Sequence, residues 1–293
     1  LSSRTYMSDV SSAAMVTLGG LAFLAAETGG RRRMYLLAGL LFGLAVVMRY
    51  TNLILLMALP CYFAASGFME NRMISGWTRR FREPGLWHVY IGAALPLIFQ
   101  AAYNLVTTGG VFTTGYSYGM RADGIPQFSF GYLGRNLLDE APALLLGFPA
   151  LVLLPFGVSA LARRSARAAL VTLFMVFPFF ALYLLNAWAR ADQFSFTARF
   201  YLPAAFGIAL AGAAALESHA SKKASAFCIV LIVSLSFLFA GDYVRRYVLA
   251  PTPAPRMGTI RGMPMPGGGP GMQFPRGGPE GGPDEFMPME GRE

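Results

Sequence analysis

Four short stretches of this 293-residue chain carry side chains whose types and spacing could do chemistry. The first, Met7-Ser8-Asp9, places a carboxylate immediately before an apolar run. A carboxylate in that position can serve as an acid or base or orient a substrate, or it can only cap a helix N-terminus. The residues alone leave both interpretations of Asp9 open.

Two further stretches place an arginine at the end of an apolar run. Arg49 opens Arg49-Tyr50-Thr51-Asn52, and Arg199 opens Arg199-Phe200-Tyr201-Leu202-Pro203. A guanidinium group can bind phosphate with two parallel hydrogen bonds, so we expect Arg49 and Arg199 to be phosphate contacts. Arg190 has a similar position and could join them. The alternatives are a helix C-terminal cap for Arg49 and interfacial anchoring for Arg199.

The last stretch runs from Tyr103-Asn104 through Gly109-Gly110 to Thr114-Gly115-Tyr116 and enters a long loop, 106–141. Tyr103, Asn104 and Tyr116 are candidate substrate-binding residues. The same loop contains alternating aromatic residues, which suit either an interfacial belt or a groove for a lipid or sugar, and it ends in Asp139-Glu140, a candidate first-turn cap. The aromatic residues are Phe128, Phe130 and Tyr132.

Apolar runs must position these stretches. The chain is 55% hydrophobic and 13% charged, which argues against an ordinary soluble enzyme. Runs near the length that crosses a bilayer predict an all-α, polytopic integral membrane protein with about eight transmembrane helices. The charged Arg49 turn favours two spans over one broken hairpin at 34–68. The predicted spans are 10–26, 34–48, 53–68, 86–105, 142–162, 168–189, 201–216 and 224–240.

Basic residues predict how the chain is oriented. The net charge of +9 raises nucleic-acid binding, but the basic residues lie between apolar runs, so we expect no nucleic-acid partner. Alternate connections divide them into twelve on one side and eight on the other before residue 251. The richer side is predicted to be cytoplasmic, which places both ends of the chain and the four stretches on the extracytoplasmic face of the inner or plasma membrane.

The remaining composition predicts two domains, 1–250 and 251–293. The second has 11 Gly and 10 Pro in 43 residues and is expected to be a disordered tail, or less readily a partner-binding segment. Cys61 and Cys228 lie inside apolar runs, and with only two His the chain predicts no metal cluster or disulfide. A divalent cation held mainly by carboxylates stays open as a cofactor.

Taken in order, the four stretches resemble the polytopic GT-C glycosyltransferases, nearest to the protein O-mannosyltransferase-like and aminoarabinose-transferase-like enzymes. The resemblance covers most of residues 1–216, with Gly39 and Gly43 leading to Arg49. The glycines themselves predict close helix packing. The chain is expected to lack the N-terminal part of the family, including its principal acidic motif.

The resemblance implies a GT-C-like fold and an inverting transfer of a sugar from a polyprenyl-phosphate donor to a glycan, lipid or protein acceptor on the outer face. Asp9 would be an orienting or metal-assisting carboxylate, and Arg49 and Arg199 would contact the leaving phosphate. Two other classes stay open: a transporter or flippase-like protein for a lipid-linked solute, and a non-catalytic membrane subunit.

Overall fold

A computed structural model describes residues 2–71, 74–112, 128–186, 199–219 and 221–244. These residues are helical and contain no strand, apart from an isolated bridge between Phe128 and Asn186. The predicted all-α class is therefore confirmed for this part of the chain. The predicted disordered tail, 251–293, lies outside it, as do Tyr116 and Arg190.

The helices are numbered in chain order. They are α1 Ser2–Gly29, α2 Arg32–Met48, α3 Leu53–Asn71, α4 Ile74–Arg82, α5 Pro84–Thr108, α6 Leu133–Gly147, α7 Leu154–Arg164, α8 Ala166–Leu184, α9 Ala205–His219 and α10 Lys222–Val244. Short 3₁₀ helices cover Tyr50–Asn52, Phe130–Tyr132, Pro149–Leu153 and Arg199–Ala204.

Five segments in the described residues are long and apolar enough to cross a membrane, which supports an integral membrane protein. They correspond to the predicted spans at 10–26, 53–68, 86–105, 168–189 and 201–216. Their bounds are Asp9–Gly29, Tyr50–Glu70, Pro84–Thr108, Ala166–Leu184 and Phe200–Ser218.

The other three predicted spans are not confirmed. The span at 34–48 lies in α2, whose 17 residues reach only about 26 Å against a hydrocarbon core of about 30 Å. The span at 142–162 is broken: α6 ends at Gly147, and Phe148 leaves the helical region because Pro149 follows it. The span at 224–240 lies within α10, which is not one of the five.

The long helices run between two ends of one bundle. We define the Asp9 end by Asp9, Arg49, Asn104 and Phe200, and the Glu27 end by Glu27, Arg80, Arg167 and Glu217. Contacts at each end show the alternation: α1 begins at the Asp9 end, α2 returns to it, and α3 leaves it again. Helices α5, α8 and α9 likewise have one terminus at each end.

Glycines allow the central helices to approach closely. An added Cβ at Gly39 of α2 would lie 2.0 Å from the carbonyl oxygen of Val89 in α5, and one at Gly43 would lie 2.8 Å from that of Ala93. Both glycines are buried. The predicted packing role of Gly39 and Gly43 is confirmed, and this contact aligns the end of α2, with Arg49, beside the end of α5, with Asn104.

Candidate functional site

The Asp9 end is organised by an ion pair between α1 and the end of α2. The Nη1 atom of Arg49 lies 2.5 Å from Oδ1 of Asp9, and the two side chains are only 13% and 7% exposed. Arg49 is the C-cap residue of α2, with extended backbone angles that turn its side chain out of the helical path. An ion pair this enclosed is screened little by solvent, so it fixes the relative position of α1 and α2.

The capping interpretation of Asp9 is wrong. Helix α1 begins at Ser2, so Asp9 lies about two turns inside the helix and its backbone N–H is not at a free terminus. The corresponding interpretation of Asp139-Glu140 is also wrong, because α6 begins at Leu133. Both expectations failed because each helix starts earlier than its apolar run, in polar residues that hydropathy does not register.

An aromatic stack joins Arg49 to the fourth stretch. The guanidinium carbon of Arg49 lies 4.7 Å from the ring centroid of Phe200, within the range of a cation–π contact. The Phe200 ring in turn stacks on Tyr183 at the end of α8, with 5.2 Å between centroids and 17° between planes. Arg199 begins the 3₁₀ helix beside Phe200, and its side chain lies outside the described residues.

A hydrogen-bonded amide cluster joins Tyr50 to the third stretch. The Tyr50 hydroxyl accepts from Nδ2 of Asn104 at 2.8 Å and from Nε2 of Gln100 at 3.0 Å. Gln100 also donates to Oδ1 of Asn104, whose Nδ2 donates to the carbonyl of Val111. Asn104 is buried, and its hydrogen bonds use both of its amide protons, so its side chain is held in one orientation.

Tyr103 is not part of this cluster. Its side chain is 58% exposed, on the helix face that points away from Asn104. The prediction paired Tyr103 with Asn104 because they are adjacent in sequence, but adjacent residues of a helix point about 100° apart. The structure therefore pairs Asp9 with Arg49 and, separately, Asn104 with Tyr50, the residue after Arg49, and it leaves Tyr103 outside both contacts.

Two polar residues complete this end of the bundle and were not predicted as site residues. Asn52 donates to Oγ of Ser12 at 2.5 Å and to the carbonyl of Ala45 at 2.8 Å, and both side chains are buried. Ser12 lies one turn after Asp9 on the same face of α1, and Asn52 lies one turn after Arg49. The three-residue spacing from Asp9 and from Arg49 could have predicted Ser12 and Asn52 as site residues, since residues three apart on a helix share a face.

The alternating aromatics do not form one groove in the described residues. Phe128 pairs through its backbone with Asn186, Phe130 is 83% exposed, and the Tyr132 ring lies under the guanidinium of Arg135 at 5.1 Å. Asn136 of α6 donates to the carbonyls of Leu184 and Asn186. These contacts dock the start of α6 against the end of α8.

Sequence reasoning missed a second buried charge cluster, at the Glu27 end. Glu27 is fully enclosed and accepts from Nη2 of Arg80 at 2.7 Å and from the Tyr35 hydroxyl at 2.8 Å. Arg80 also pairs with Glu83 and covers the ring of Phe63 at 5.3 Å. Burial lowers the pKa of the Arg80 guanidinium, but the charges of Glu27 and Glu83 and the hydrogen bond to Glu83 outweigh it and raise the pKa above its ordinary value.

Further arginines tie more helices to the same end. Arg167 at the start of α8 donates to Oε1 of Glu70 at 2.6 Å and to the carbonyl of Glu27 at 3.2 Å. Arg164 of α7 pairs with Glu217 of α9 at 2.7 Å, with both side chains more than half exposed. Carboxylates and arginines at this end therefore connect helices, which gives their burial a structural cause.

The described residues hold no group of three or more His, Cys, Asp and Glu that could bind a metal ion. No family model matches this chain, and no curated protein or solved structure is significantly similar to it.

Proposed function

We propose that this chain is the membrane domain of a GT-C-like glycosyltransferase, which transfers a sugar from a polyprenyl-phosphate donor to an acceptor hydroxyl at the membrane surface. In that reaction the acceptor oxygen attacks the anomeric carbon, the bond from that carbon to the phosphate oxygen breaks, and the configuration inverts. The acceptor proton passes to a carboxylate base, and the polyprenyl phosphate leaves with the negative charge.

The observation that carries the proposal is the meeting of the four sequence stretches on Arg49 and Tyr50. Arg49 contacts Asp9 of the first stretch and Phe200 of the fourth, and Tyr50 contacts Asn104 of the third. These partners are far apart in the chain, and each contact is made by a side chain that is polar or aromatic. A bundle held together only by apolar packing has no need of these contacts at the two consecutive residues Arg49 and Tyr50.

The electrostatics of this end suit a lipid phosphate. A guanidinium carries five N–H groups, and the described contact of Arg49 with Asp9 uses one of its nitrogens. Asp9 can therefore orient Arg49 while other N–H groups of Arg49 bind the phosphate of the leaving group. Negative charge develops on this phosphate in the transition state, so the contact stabilises the transition state more than the ground state. Arg199, next to Phe200, is the second phosphate contact that we propose.

The transporter alternative has less support. A transporter is expected to carry ionisable residues near the middle of its spans. The charged residues and histidine within the five candidate spans all lie within five residues of a span end. They are Asp9, Glu27, Glu70, His88, Arg167 and Glu217.

The test is a transfer assay on membranes from cells that express the complete reading frame of this chain. Radiolabelled polyprenyl-phosphate sugars are the donors. We expect Asp9→Asn and Arg49→Gln to lower turnover by roughly 100-fold or more, the loss typical of a charged group that acts in the transition state. Glu217→Gln is the matched control, because it also neutralises a paired carboxylate, but at the Glu27 end and exposed to solvent.

Folded protein is measured for each variant by size-exclusion chromatography, so that lost activity is separated from lost protein. Equal turnover in Asp9→Asn and the unmodified enzyme would remove Asp9 from the site. Absence of transfer with every donor, in protein that is folded, would contradict the glycosyltransferase proposal itself.

A further inference from the structure

The short helix α4 lies between two candidate membrane spans and is not itself long enough to be one. It has nine residues and connects the candidate span that ends at Glu70 with the one that begins at Pro84. A helix between two consecutive spans lies at one face of the membrane. Its ion pair with Glu27 shows that this face is the Glu27 end of the bundle.

Helix α4 has three distinct faces. Gly76 and Arg80, four residues apart, point inward: the Gly76 carbonyl oxygen lies where a Cβ on Gly67 of α3 would be, at 2.4 Å, and Arg80 is buried on Glu27. Trp77 and Phe81, also four apart, form an apolar face, on which Trp77 is 42% exposed. Arg79 and Arg82, three apart, form a basic face.

The basic face is open to solvent. The Arg79 side chain is 69% exposed and its contact with Glu83 is long, at 3.8 Å, while Arg82 is exposed and makes no ion pair within the described part of the chain. The acids that could neutralise these arginines have other partners, since Glu27 pairs with Arg80 and Glu70 with Arg167. The exposed side chains of Arg31, Arg32 and Arg33, at the turn that follows Glu27, add to the same positive surface.

We propose that α4 is an interfacial helix that binds the phosphate headgroups of anionic lipids through Arg79 and Arg82. A basic face beside an apolar face with tryptophan is the pattern of helices that lie in the plane of the bilayer surface. The indole of Trp87, 58% exposed and bonded through Nε1 to the carbonyl of Phe81, lies just beyond α4, where an aromatic residue anchors a span at the interface. Charge complementarity selects anionic over zwitterionic lipid.

The anchoring of α4 makes this surface a fixed one. The buried Arg80 holds the helix to α1 through Glu27, and the close approach of Gly76 holds it to α3. The backbone of Arg79 and Arg82 is therefore held in place, and a headgroup phosphate that binds between them has to order two side chains but not the helix that carries them.

The test measures how many phosphatidylglycerol and phosphatidylcholine molecules the full-length chain retains in detergent, by native mass spectrometry during titration with each lipid. We expect the unmodified protein to prefer phosphatidylglycerol and Arg79→Gln/Arg82→Gln to bind it roughly 25-fold more weakly, about fivefold for each arginine. Lys222→Gln/Lys223→Gln is the matched control, because it removes two exposed charges from the start of α10, which follows α9 at the same end.

An equal loss of phosphatidylglycerol binding in the lysine control would show diffuse attraction and overturn the assignment to α4. An unchanged preference in the arginine variant would also overturn it. Inorganic phosphate is added at millimolar concentration as a further arm, and complete displacement of the lipid by it would indicate a site for free phosphate instead. Because both arginines are exposed, we expect the variant to elute from size-exclusion chromatography as the unmodified protein does.

A second measurement reports on the apolar face of α4. In the variant Trp87→Phe/Trp188→Phe, Trp77 is the one tryptophan left of the three in the chain. We expect brominated phosphatidylglycerol in nanodiscs to quench its fluorescence more than brominated phosphatidylcholine does. Absence of quenching by either lipid would place α4 away from the bilayer and contradict the proposal.

Discussion

Helix α1 carries one buried carboxylate at each end of the bundle, and the two differ in what surrounds them. Asp9 and Glu27 are separated by 18 residues, about 27 Å along the helix, close to the thickness of a hydrocarbon core. Glu27 binds Arg80, which binds Glu83, and neighbouring arginines bind Glu70 and Glu217. Asp9 binds Arg49, whose guanidinium lies over the ring of Phe200, and the next residue, Tyr50, binds the amides of Asn104 and Gln100.

The difference shows that a buried charge can have either of two roles, one in helix packing and one in a functional site. At the Glu27 end each carboxylate pairs with an arginine of another element, although Nε of the buried Arg80 has no hydrogen-bond partner. At the Asp9 end the ion pair contacts an aromatic ring through Arg49, and the next residue, Tyr50, accepts hydrogen bonds from two side-chain amides. The contacts at the Glu27 end are those of helix packing, and the contacts at the Asp9 end are the ones on which the proposed function rests.

The largest effect on stability is expected from Glu27→Gln. The substitution removes the carboxylate charge of Glu27 and leaves the buried Arg80 with Glu83 as its remaining ion-pair partner. The guanidinium stays charged, because an arginine does not deprotonate in a protein. Breaking a buried pair on one side costs about 3–5 kcal/mol. The free energy of unfolding in mixed detergent micelles measures it, and a loss below that of Asp9→Asn would contradict the contrast between the two ends.

Asp9→Asn is expected to have a smaller effect on stability, about 2 kcal/mol, together with the large loss of transfer activity proposed above. The Arg49 side chain is 13% exposed, against 3% for Arg80, so water solvates an unpaired guanidinium at Arg49 more than one at Arg80. The same unfolding measurement applies. If Asp9→Asn lowers stability strongly and leaves the activity of the folded fraction unchanged, Asp9 has the same structural role as Glu27.

Tyr50→Phe is expected to cost about 1–2 kcal/mol, since it removes two hydrogen bonds whose net value is about 1 kcal/mol each at most. It removes the hydroxyl that accepts from Asn104 and Gln100, although Asn104 keeps its bond to the Val111 carbonyl. Thermal unfolding of the purified protein checks this value. The double variant Tyr50→Phe/Asn104→Leu should lose less than the sum of its parts, since the two residues interact directly.

The smallest effect is expected from Glu217→Gln. Its pair with Arg164 is as short as that of Glu27 with Arg80, at 2.7 Å, but its side chains are 65% and 52% exposed. Exposed pairs contribute at most about 1 kcal/mol, so the midpoint of thermal unfolding should move little. A loss as large as that of Glu27→Gln would show that pairing distance, not burial, determines the strength of these contacts.

Much of the fold was predictable because membrane spans depend on local properties. Runs of apolar residues predicted the five candidate spans, and the spacing of Gly39 and Gly43 predicted close helix packing, which the structure shows against α5. The predictions failed where a proline interrupts a run that stays apolar on average, as Pro149 does. They also failed where a helix continues into polar residues, as α1 does before Asp9.

The candidate site was predictable as a set of stretches but not as a geometry. Arg49 and Asn104 were selected by residue type at the ends of spans, and both are at the centre of the contacts found there. Gln100 and Phe200 were missed as contacts, because an amide or an aromatic near a span end is common and gives no signal by itself. Tyr103 was included only because it precedes Asn104, and the turn of the helix separates them.

The sequence by itself determined that the chain is helical, that it is apolar enough for a membrane, and which residues stand at the ends of its spans. These properties depend on neighbouring residues, so they can be read from one short window at a time. Only the tertiary structure decided that Asp9 pairs with Arg49 and Glu27 with Arg80, across 40 and 53 residues of chain. A carboxylate has the same sequence signature whether it caps a helix, ties two helices together or faces a substrate, because those roles differ in the partners that packing brings to it.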